Sequence, residues 1–205
     1  MFVQKTVILA MLGVISLNAS DYDTEFSACK DGNATSCYSV AKTLTTGENE
    51  KNQAKKELGL EYMRKACIYG EEKACDELGD NYYKEKHYMA AKPYLIKSCG
   101  KGIVSACESM GTMYRDGQDV KQDDTQSREF YEKACQLKSK DACINVAIIY
   151  RGGFGVERNS TIEKSYYKKA CDYGSEAGCN SFTTLDNEEK GIDTGFFATI
   201  KNFFN

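Results

Sequence analysis

The sequence is poor in residues that several functional classes require. Its 205 residues include one His, one Pro and no Trp. A single imidazole excludes sites built on two or more histidines, which removes most catalytic zinc centres. Lys and Arg number 27 against 30 Asp and Glu, so the net charge is −3 and the basic surface typical of nucleic-acid-binding proteins is missing. We therefore expect no metal, no cofactor and no nucleic acid among the ligands.

Long apolar segments are also scarce. The longest, Thr6 to Leu17, follows Lys5 and is shorter than the ~20 residues that cross a bilayer. With the small residues Asn18-Ala19-Ser20 behind it, this run predicts a secretory signal at residues 1–19; a membrane anchor is the alternative. A lipoprotein would need a Cys directly after the run, whereas the first is Cys29. We expect a secreted or periplasmic protein without a membrane span.

Cysteine, by contrast, is abundant and periodic. The ten Cys form five pairs with one spacing of eight residues: Cys29 with Cys37, Cys67 with Cys75, Cys99 with Cys107, Cys135 with Cys143, and Cys171 with Cys179. The second members recur every 32 to 38 residues, which is typical of a helical repeat array. So many cysteines also favour an oxidising compartment.

Other residues repeat in register with the cysteines. Three and four residues after the second Cys, four units place an apolar and then a small residue: Val40-Ala41, Leu78-Gly79, Met110-Gly111 and Val146-Ala147. Seven residues after it come Leu44, Tyr82, Tyr114 and Tyr150. These offsets trace one face of a helix, here called helix A. A second helix, B, precedes each pair and carries bulky residues four and five positions before the first Cys: Tyr62-Met63, Tyr94-Leu95, Phe130-Tyr131 and Tyr166-Tyr167.

The spacing of each pair predicts a local disulfide. On one continuous helix, eight residues would separate the Cα atoms by ~12 Å, whereas a disulfide tolerates no more than ~7 Å. The chain must therefore turn between the two cysteines, and a Gly stands three residues after the first Cys in four pairs: Gly32, Gly70, Gly102 and Gly174. The remaining pair has Lys138 there, which must adopt a backbone conformation that favours Gly. The alternative, metal binding by five Cys pairs, lacks the Cys-x2-Cys spacing of structural zinc sites.

The pattern resembles Sel1-like repeats, helical hairpins related to tetratricopeptide repeats. The segment Lys65 to Cys75, Lys-Ala-Cys-x-x-Gly-x-x-x-Ala-Cys, is similar to the Helicobacter cysteine-rich protein family. The resemblance implies an all-α, right-handed α/α solenoid. It divides the chain into a signal peptide at 1–19, a capping half-repeat at 20–36, four repeats at 37–74, 75–106, 107–142 and 143–179, and a C-terminal tail with a capping helix at 180–205. The second repeat departs from the pattern, because it has a shorter A–B loop and Pro93 within helix B.

The same resemblance implies an enzymatic alternative, a penicillin-binding protein or weak β-lactamase. Ser-x-x-Lys, which serine β-lactamases use, occurs four times, beginning at Ser27, Ser39, Ser98 and Ser165. Neither Ser-Asp-Asn nor Lys-Thr-Gly accompanies it. The residues therefore define no catalytic site. The lone His87 is expected to be a loop imidazole.

A solenoid of this kind binds partners on the concave surface that its A helices line. The non-core positions there lie one, two and five residues after the second Cys. We expect ligand contacts from Tyr38, Lys42, Asp76, Asp80, Glu108, Thr112, Ile144 and Ile148. A peptide, a protein or a peptidoglycan-type fragment would fit such a surface, and β-lactams only under the enzymatic alternative. A merely solvated face is the other interpretation.

Two further features concern the loops and the tail. Asp31-Gly32-Asn33-Ala34-Thr35 and Glu157-Arg158-Asn159-Ser160-Thr161 resemble the acidic sequon of bacterial N-linked oligosaccharyltransferases. Alternatively, Thr35 and Ser160 or Thr161 cap the helices that follow.

The tail carries an apolar stripe at helical spacing, formed by Phe196, Phe197, Ile200, Phe203 and Phe204. We expect this stripe to cap the last repeat; a membrane or partner contact is the alternative.

Overall fold

A computed structural model describes residues 19–192, without the side chains of residues 19–22, 48 and 50. Nearly all of the predicted signal and the apolar stripe of the tail lie outside these residues. Within them the all-α class is confirmed, since the backbone forms α-helices and one 3-10 helix and no strand. The helices are α1 (Ala19–Lys30), α2 (Ala34–Thr45), α3 (Gln53–Tyr69), α4 (Glu72–Lys84), α5 (Tyr88–Gly100), α6 (Val104–Asp116), α7 (Asp124–Gln136), α8 (Lys140–Gly152), α9 (Ser160–Asp172) and α10 (Glu176–Glu189), with the 3-10 helix at Gly47–Lys51.

Two compact units divide the chain between Asn81 and Tyr82, within helix α4. In the first unit α1 packs against α2 and α2 against α3, and in the second unit each helix from α5 to α10 packs against the next. The even-numbered helices from α2 to α10 are the predicted A helices, and the odd-numbered ones are the B helices. Every A helix begins three residues before the second Cys of its pair. Repeat boundaries placed at these cysteines therefore fall one turn inside helix A.

The turn between helix B and the next helix A, here called the seam turn, has the same form in all five pairs. Its central residue has a positive φ, for example 91° at Gly102. The backbone N–H after it donates to the carbonyl five residues earlier, as Ile103 does to Ser98 at 3.0 Å. Lys138 adopts φ 71°, as its place in the pattern requires.

All five disulfides are closed, with the pairing that the spacing predicts. The reversal of the chain in each seam turn brings the paired Cα atoms to 4.4–4.8 Å, within the range that a disulfide spans. No free cysteine remains among the ten. The bonds join Cys29 to Cys37, Cys67 to Cys75, Cys99 to Cys107, Cys135 to Cys143, and Cys171 to Cys179.

The core of each repeat is the contact between helix A and its own helix B. The bulky residue four positions before the first Cys is buried in every repeat, with Tyr131 at 1% exposure. Its ring lies against Gly111, where a Cβ would come 2.7 Å from Tyr131 Cε1. In the last three repeats the preceding ring stacks on the Tyr seven positions after the second Cys, as Phe130 does on Tyr114 at 5.7 Å between centroids. The predicted small position is therefore what allows the two helices to approach.

The second repeat keeps helix B despite its departures. Its A–B loop has three residues, 85–87, whereas the next two repeats have seven, 117–123 and 153–159. Pro93 lies inside α5, yet α5 has 13 residues, the same as α7 and α9. Pro93 therefore does not shorten the helix.

Helix α10 differs from the other A helices because no helix B follows it within the described residues. Thr183 and Phe182 hold positions that are buried in α2, α4, α6 and α8. In α10, Thr183 is exposed and Phe182 is half-buried. This face of α10 is the one that the predicted capping tail would cover.

Replacing Lys138 with Gly should stabilise the protein. A left-handed conformation costs a non-Gly residue about 1–2 kcal/mol, and the greater freedom of an unfolded Gly offsets about 0.5–1 kcal/mol of that. We expect Lys138→Gly to raise the melting temperature by about 2 °C in thermal unfolding followed by circular dichroism. The reverse change in the next seam turn, Gly174→Lys at φ 85°, should lower it. A lower melting temperature for Lys138→Gly would contradict this account.

Deleting residues 193–205 should lower the melting temperature if the tail covers α10. The five apolar residues of the tail would lose their burial, each contributing up to about 2 kcal/mol. Phe182→Ala should be destabilising in the full chain and nearly silent in the truncated one, because the two changes remove the same contact. If Phe182→Ala lowered the melting temperature equally in the full and the truncated chain, the result would contradict the capping role.

Candidate functional site

The A helices present a narrow stripe to solvent. In α8, Cys143, Val146 and Ala147 are fully buried, while Ile144 and Ile148 on the other side are half-buried. The 3.6-residue period causes this pattern, because offsets 0, 3 and 4 face helix B and offsets 1, 2 and 5 turn away from it. We call the residues at offsets 1, 2 and 5 the A face; in α10 they are Asn180, Ser181 and Thr184. All eight predicted contact residues lie on it.

In the first unit, Tyr38 and Lys42 of α2 converge on one carboxylate of α4. The Tyr38 hydroxyl donates to Glu77 Oε1 at 2.6 Å, and Lys42 Nζ lies 3.1 Å from Glu77 Oε2. Burial, and then the hydrogen bond and charge of Glu77, raise the pKa of Tyr38 to about 12. The negative charge of Glu77, which also lies on the A face, is thus partly neutralised by Lys42. Asp76 is half-buried and Asp80 is exposed.

On α6 the polar candidates also make contacts between helices. Glu108 accepts a hydrogen bond from the hydroxyl of Ser139, the residue that caps α8. The Thr112 hydroxyl is 2.9 Å from the hydroxyl of Tyr131 on α7, and it also hydrogen-bonds Tyr83 of α4. Burial raises the pKa of Tyr131. Glu108 and Thr112 therefore help to hold the second unit together, which the sequence pattern alone did not indicate.

The α8 and α10 part of the A face is uncharged. Ile144 and Ile148 are half-buried, and the remaining A-face residues of these two helices, Asn145, Asn180, Ser181 and Thr184, are polar and uncharged. At the end of α8, Arg151 is exposed and makes no salt bridge within the described residues, whereas Arg115 pairs with Asp116 at 2.7 Å. This region combines apolar surface and neutral hydrogen-bonding groups, and Arg151 adds a cation at the end of α8.

A buried carboxylate beside Arg151 was not foreseen from the sequence. Glu163 of α9 is 5% exposed. It lies eight residues before Cys171, and the same position in the other repeats holds Gly59, Ala91 and Ser127. Burial raises the pKa of Glu163, while the charge of Arg151 lowers it and that of Glu188 raises it. The signal for this carboxylate in the sequence was that Glu163 replaces the small residue found at this position in the other repeats.

The four Ser-x-x-Lys pairs do not form a nucleophile and base. Ser98 is 2% exposed and its hydroxyl has no hydrogen-bond partner. Lys42 binds Glu77, Lys168 lies 2.9 Å from Asp172, and Lys30 lies over the ring of Phe26. Ser165 donates to the Ile162 carbonyl at 2.7 Å. A nucleophilic serine needs its base within hydrogen-bonding reach, and none of the four described pairs has that arrangement.

His87 lies, as expected, in the A–B loop of the second repeat. Its side chain is 65% exposed and is 3.6 Å from Glu85. Among residues 19–192, no three His, Cys, Asp or Glu side chains converge in a group able to hold a metal ion. Over the same range, no helix is long and apolar enough to cross a membrane.

A shallow cleft between α9 and α10 is a further feature of the second unit. Lys164 lies at its centre, 2.7 Å from Asp186 and in contact with Glu189. The cleft is lined by Ser160, Thr161, Lys164, Leu185, Glu188 and Glu189. Because Asp186 and Glu189 both pair with Lys164, the charge of this lysine is largely satisfied within the fold.

The fold is similar to that of solved Sel1-repeat structures. A Sel1 repeat protein from Oxalobacter formigenes is 20% identical, with a TM-score of 0.64, and the match covers 80% of this chain and 74% of that one. The antigen c5321 of uropathogenic Escherichia coli, described as a protective antigen with an SLR fold, is 21% identical with a TM-score of 0.60. That match covers 82% of this chain but only 36% of the antigen, so the chain spans about a third of its length.

The Helicobacter pylori cysteine rich protein B is also a structural neighbour. It is 22% identical over 77% of this chain and 89% of its own, with a TM-score of 0.34. No curated protein sequence matches the chain significantly.

The family itself is shown by sequence. The Sel1 repeat model matches residues 34–68, 104–139 and 140–175, just over half of the chain. The unmatched interval contains the second repeat, with its short loop and Pro93. The chain belongs to the Sel1 repeat family.

Proposed function

We propose that the protein is a non-catalytic binding protein that acts outside the cytoplasm and holds a peptide or protein segment on its A face. Sel1 repeats generally mediate interactions between proteins. The contacts would come from Tyr38, Lys42, Asp76, Asp80, Glu108, Thr112, Ile144 and Ile148. The main contribution is assigned to α8 and α10, whose part of the A face carries no charged side chain.

The observation that carries the proposal is the uncharged surface around Ile144 and Ile148. Two partly exposed isoleucines offer apolar area for a side chain of a partner. Asn145 and Asn180 offer neutral donors and acceptors, which suit the amide groups of a peptide backbone. Arg151 supplies a cation for a carboxylate of the partner. A peptidoglycan-type fragment contains the same amide and carboxylate groups, and is the second candidate ligand.

The extracytoplasmic location rests on the cysteines. All ten are paired, and disulfides persist in secreted and periplasmic proteins but are rare in the cytoplasm. Five bonds of this kind, each contributing roughly 2–4 kcal/mol, would be lost under reducing conditions. An exported protein keeps them, which agrees with the signal predicted for residues 1–19.

Site-specific photo-crosslinking tests the binding face. A photoreactive amino acid is placed at Asn145 on the A face, or at Glu129 on the exposed side of helix α7 as a control, and the cells are irradiated with their envelope intact. We expect one defined adduct from position 145 and none from position 129. Adding Ile148→Glu should reduce the adduct at least about fivefold, because it places a charge in the apolar contact.

Thermal unfolding of the Ile148→Glu protein controls for misfolding. An adduct of equal yield from positions 145 and 129, or one that Ile148→Glu leaves unchanged at unaltered melting temperature, would contradict binding at the A face.

Nitrocefin separates this function from the enzymatic alternative. In none of the Ser-x-x-Lys pairs does the lysine amine lie within hydrogen-bonding reach of the serine hydroxyl. We therefore expect the oxidised protein to hydrolyse nitrocefin no faster than buffer alone. Ser27→Ala, Ser39→Ala, Ser98→Ala and Ser165→Ala should leave that rate unchanged. Turnover that one of these substitutions abolishes, in a protein that still folds, would establish a hydrolase.

A further inference from the structure

Two segments with the same motif have no part in the A face. Asp31 to Thr35 and Glu157 to Thr161 both place an acidic residue two positions before an Asn and a Thr two positions after it. The sequence left open whether Thr35 and Ser160 or Thr161 cap the following helices. In the structure the asparagines are the caps instead: Asn33 Oδ1 accepts from the backbone N–H of Ser36 and Asn159 Oδ1 from that of Ile162, each at 3.0 Å. The hydroxyls are therefore not needed as caps.

Both asparagines keep their reactive atom available. Asn33 and Asn159 are exposed. Within the described residues, neither Nδ2 makes a hydrogen bond, since each cap uses only Oδ1. An N-linked sugar is attached through Nδ2, so a glycan at either position leaves the helix cap intact. Modification is thus compatible with the fold at both positions.

The two segments differ in how far the chain can open around the asparagine. Asn33 lies inside the seam turn closed by Cys29 and Cys37, whose Cα atoms are 4.6 Å apart. An extended segment over 31–35 would take up about 14 Å, so the four remaining residue steps and the bridge would have to span the same distance and straighten as well. With the disulfide closed, extension therefore has to unwind the first turn of α2 and displace the buried Cys29 and Cys37. In addition, the Thr35 hydroxyl donates to Glu71 at 3.3 Å.

Asn159 has no such restraint. It ends the seven-residue loop 153–159, and the next cysteine, Cys171, is twelve residues away. Ser160 and Thr161, which start α9, are exposed and face the open cleft between α9 and α10. The first buried side chain of the helix is Glu163. Extending this segment requires fraying of one helical turn, which buries little apolar surface, and loss of the hydrogen bond from the Asn159 backbone N–H to the Tyr150 carbonyl at 3.1 Å.

We propose that Asn159 accepts an N-linked glycan in the folded, oxidised protein, and that Asn33 accepts one only before the Cys29–Cys37 bond closes. The donor is a lipid diphosphate-linked oligosaccharide, and the enzyme is an oligosaccharyltransferase that requires the acidic residue. The Asn Nδ2 forms a bond to the anomeric carbon and loses one proton. The bond from that carbon to the diphosphate oxygen breaks, and the lipid diphosphate leaves with the electron pair. Oxidation state does not change in this step, so the disulfide acts only by restraining the chain.

Transfer in vitro tests the proposal. The full chain, purified in oxidised form, is incubated with a bacterial oligosaccharyltransferase of this specificity and its lipid-linked donor. Reduction and trypsin then yield separate peptides for the two positions, 31–42 and 159–164, whose masses report occupancy. We expect a glycan on Asn159 and essentially none on Asn33. In the variant that carries both Cys29→Ser and Cys37→Ser, occupancy of Asn33 should rise at least about tenfold while that of Asn159 stays the same.

Internal controls make each outcome decisive. Asn159→Gln must remove the glycan from the oxidised protein, and Glu157→Ala must reduce it. Synthetic peptides spanning 29–37 with both cysteines replaced by Ser, and 155–163, show whether each sequence is a substrate when unfolded. The proposal is overturned if either peptide is inert, if oxidised protein is not modified at Asn159, or if Asn33 is modified equally with its bridge closed. Raised occupancy at both asparagines in the Cys variant would indicate general unfolding and would also overturn the role of the bridge.

Discussion

Every other feature of this protein depends on the chain reversing direction within the eight residues that separate two paired cysteines. A left-handed residue follows helix B, and the disulfide holds the paired Cα atoms within 4.8 Å. In three of the five turns a side chain, that of Asn33, Ser139 or Ser175, caps helix A. Because the turn fixes the start of helix A relative to the second Cys, it also fixes which side chains face helix B. The register of each repeat is therefore set at its first turn. Lys138 shows how strong this constraint is, since it takes the left-handed conformation without being Gly.

The contact between the two helices of a repeat follows from that register. A small residue four positions after the second Cys, such as Gly111, accepts the ring of Tyr131, and the stacked pair Tyr114 and Phe130 extends the same interface. The helix therefore has one fully buried side, and the geometry of the α-helix leaves the A face on the opposite side. The proposed binding surface is thus a consequence of the packing, rather than an addition to it. The residue types on this face can therefore differ between repeats, as Glu108 and Ile144 show at equivalent positions.

The periodic part of this architecture could be predicted from the sequence because each element is specified within its own repeat. Cysteine spacing predicts the five bridges, and the Gly positions predict the left-handed residues, including the exception at Lys138. Contacts that join side chains of different helices could not be predicted in this way. The convergence of Tyr38 and Lys42 on Glu77 depends on how two repeats stack, which a single repeat does not encode. The helix caps were misassigned for a local reason, since Asn33 and Asn159 compete with nearby hydroxyl groups for the same backbone N–H groups.

The distribution of charge along the A face bears on what the protein can recognise. In α2, α4 and α6, charged and polar groups such as Lys42, Glu77 and Glu108 are bound to neighbouring helices. Recruiting them to a ligand would require breaking those contacts, and the cost would offset much of the gain. Ile144, Asn145 and Ile148 carry no charge, and Arg151 makes no salt bridge within the described residues, although its charge acts on the buried Glu163. A ligand bound to this part of the A face, as we propose, would therefore break fewer of the links between helices than one bound on α2, α4 or α6.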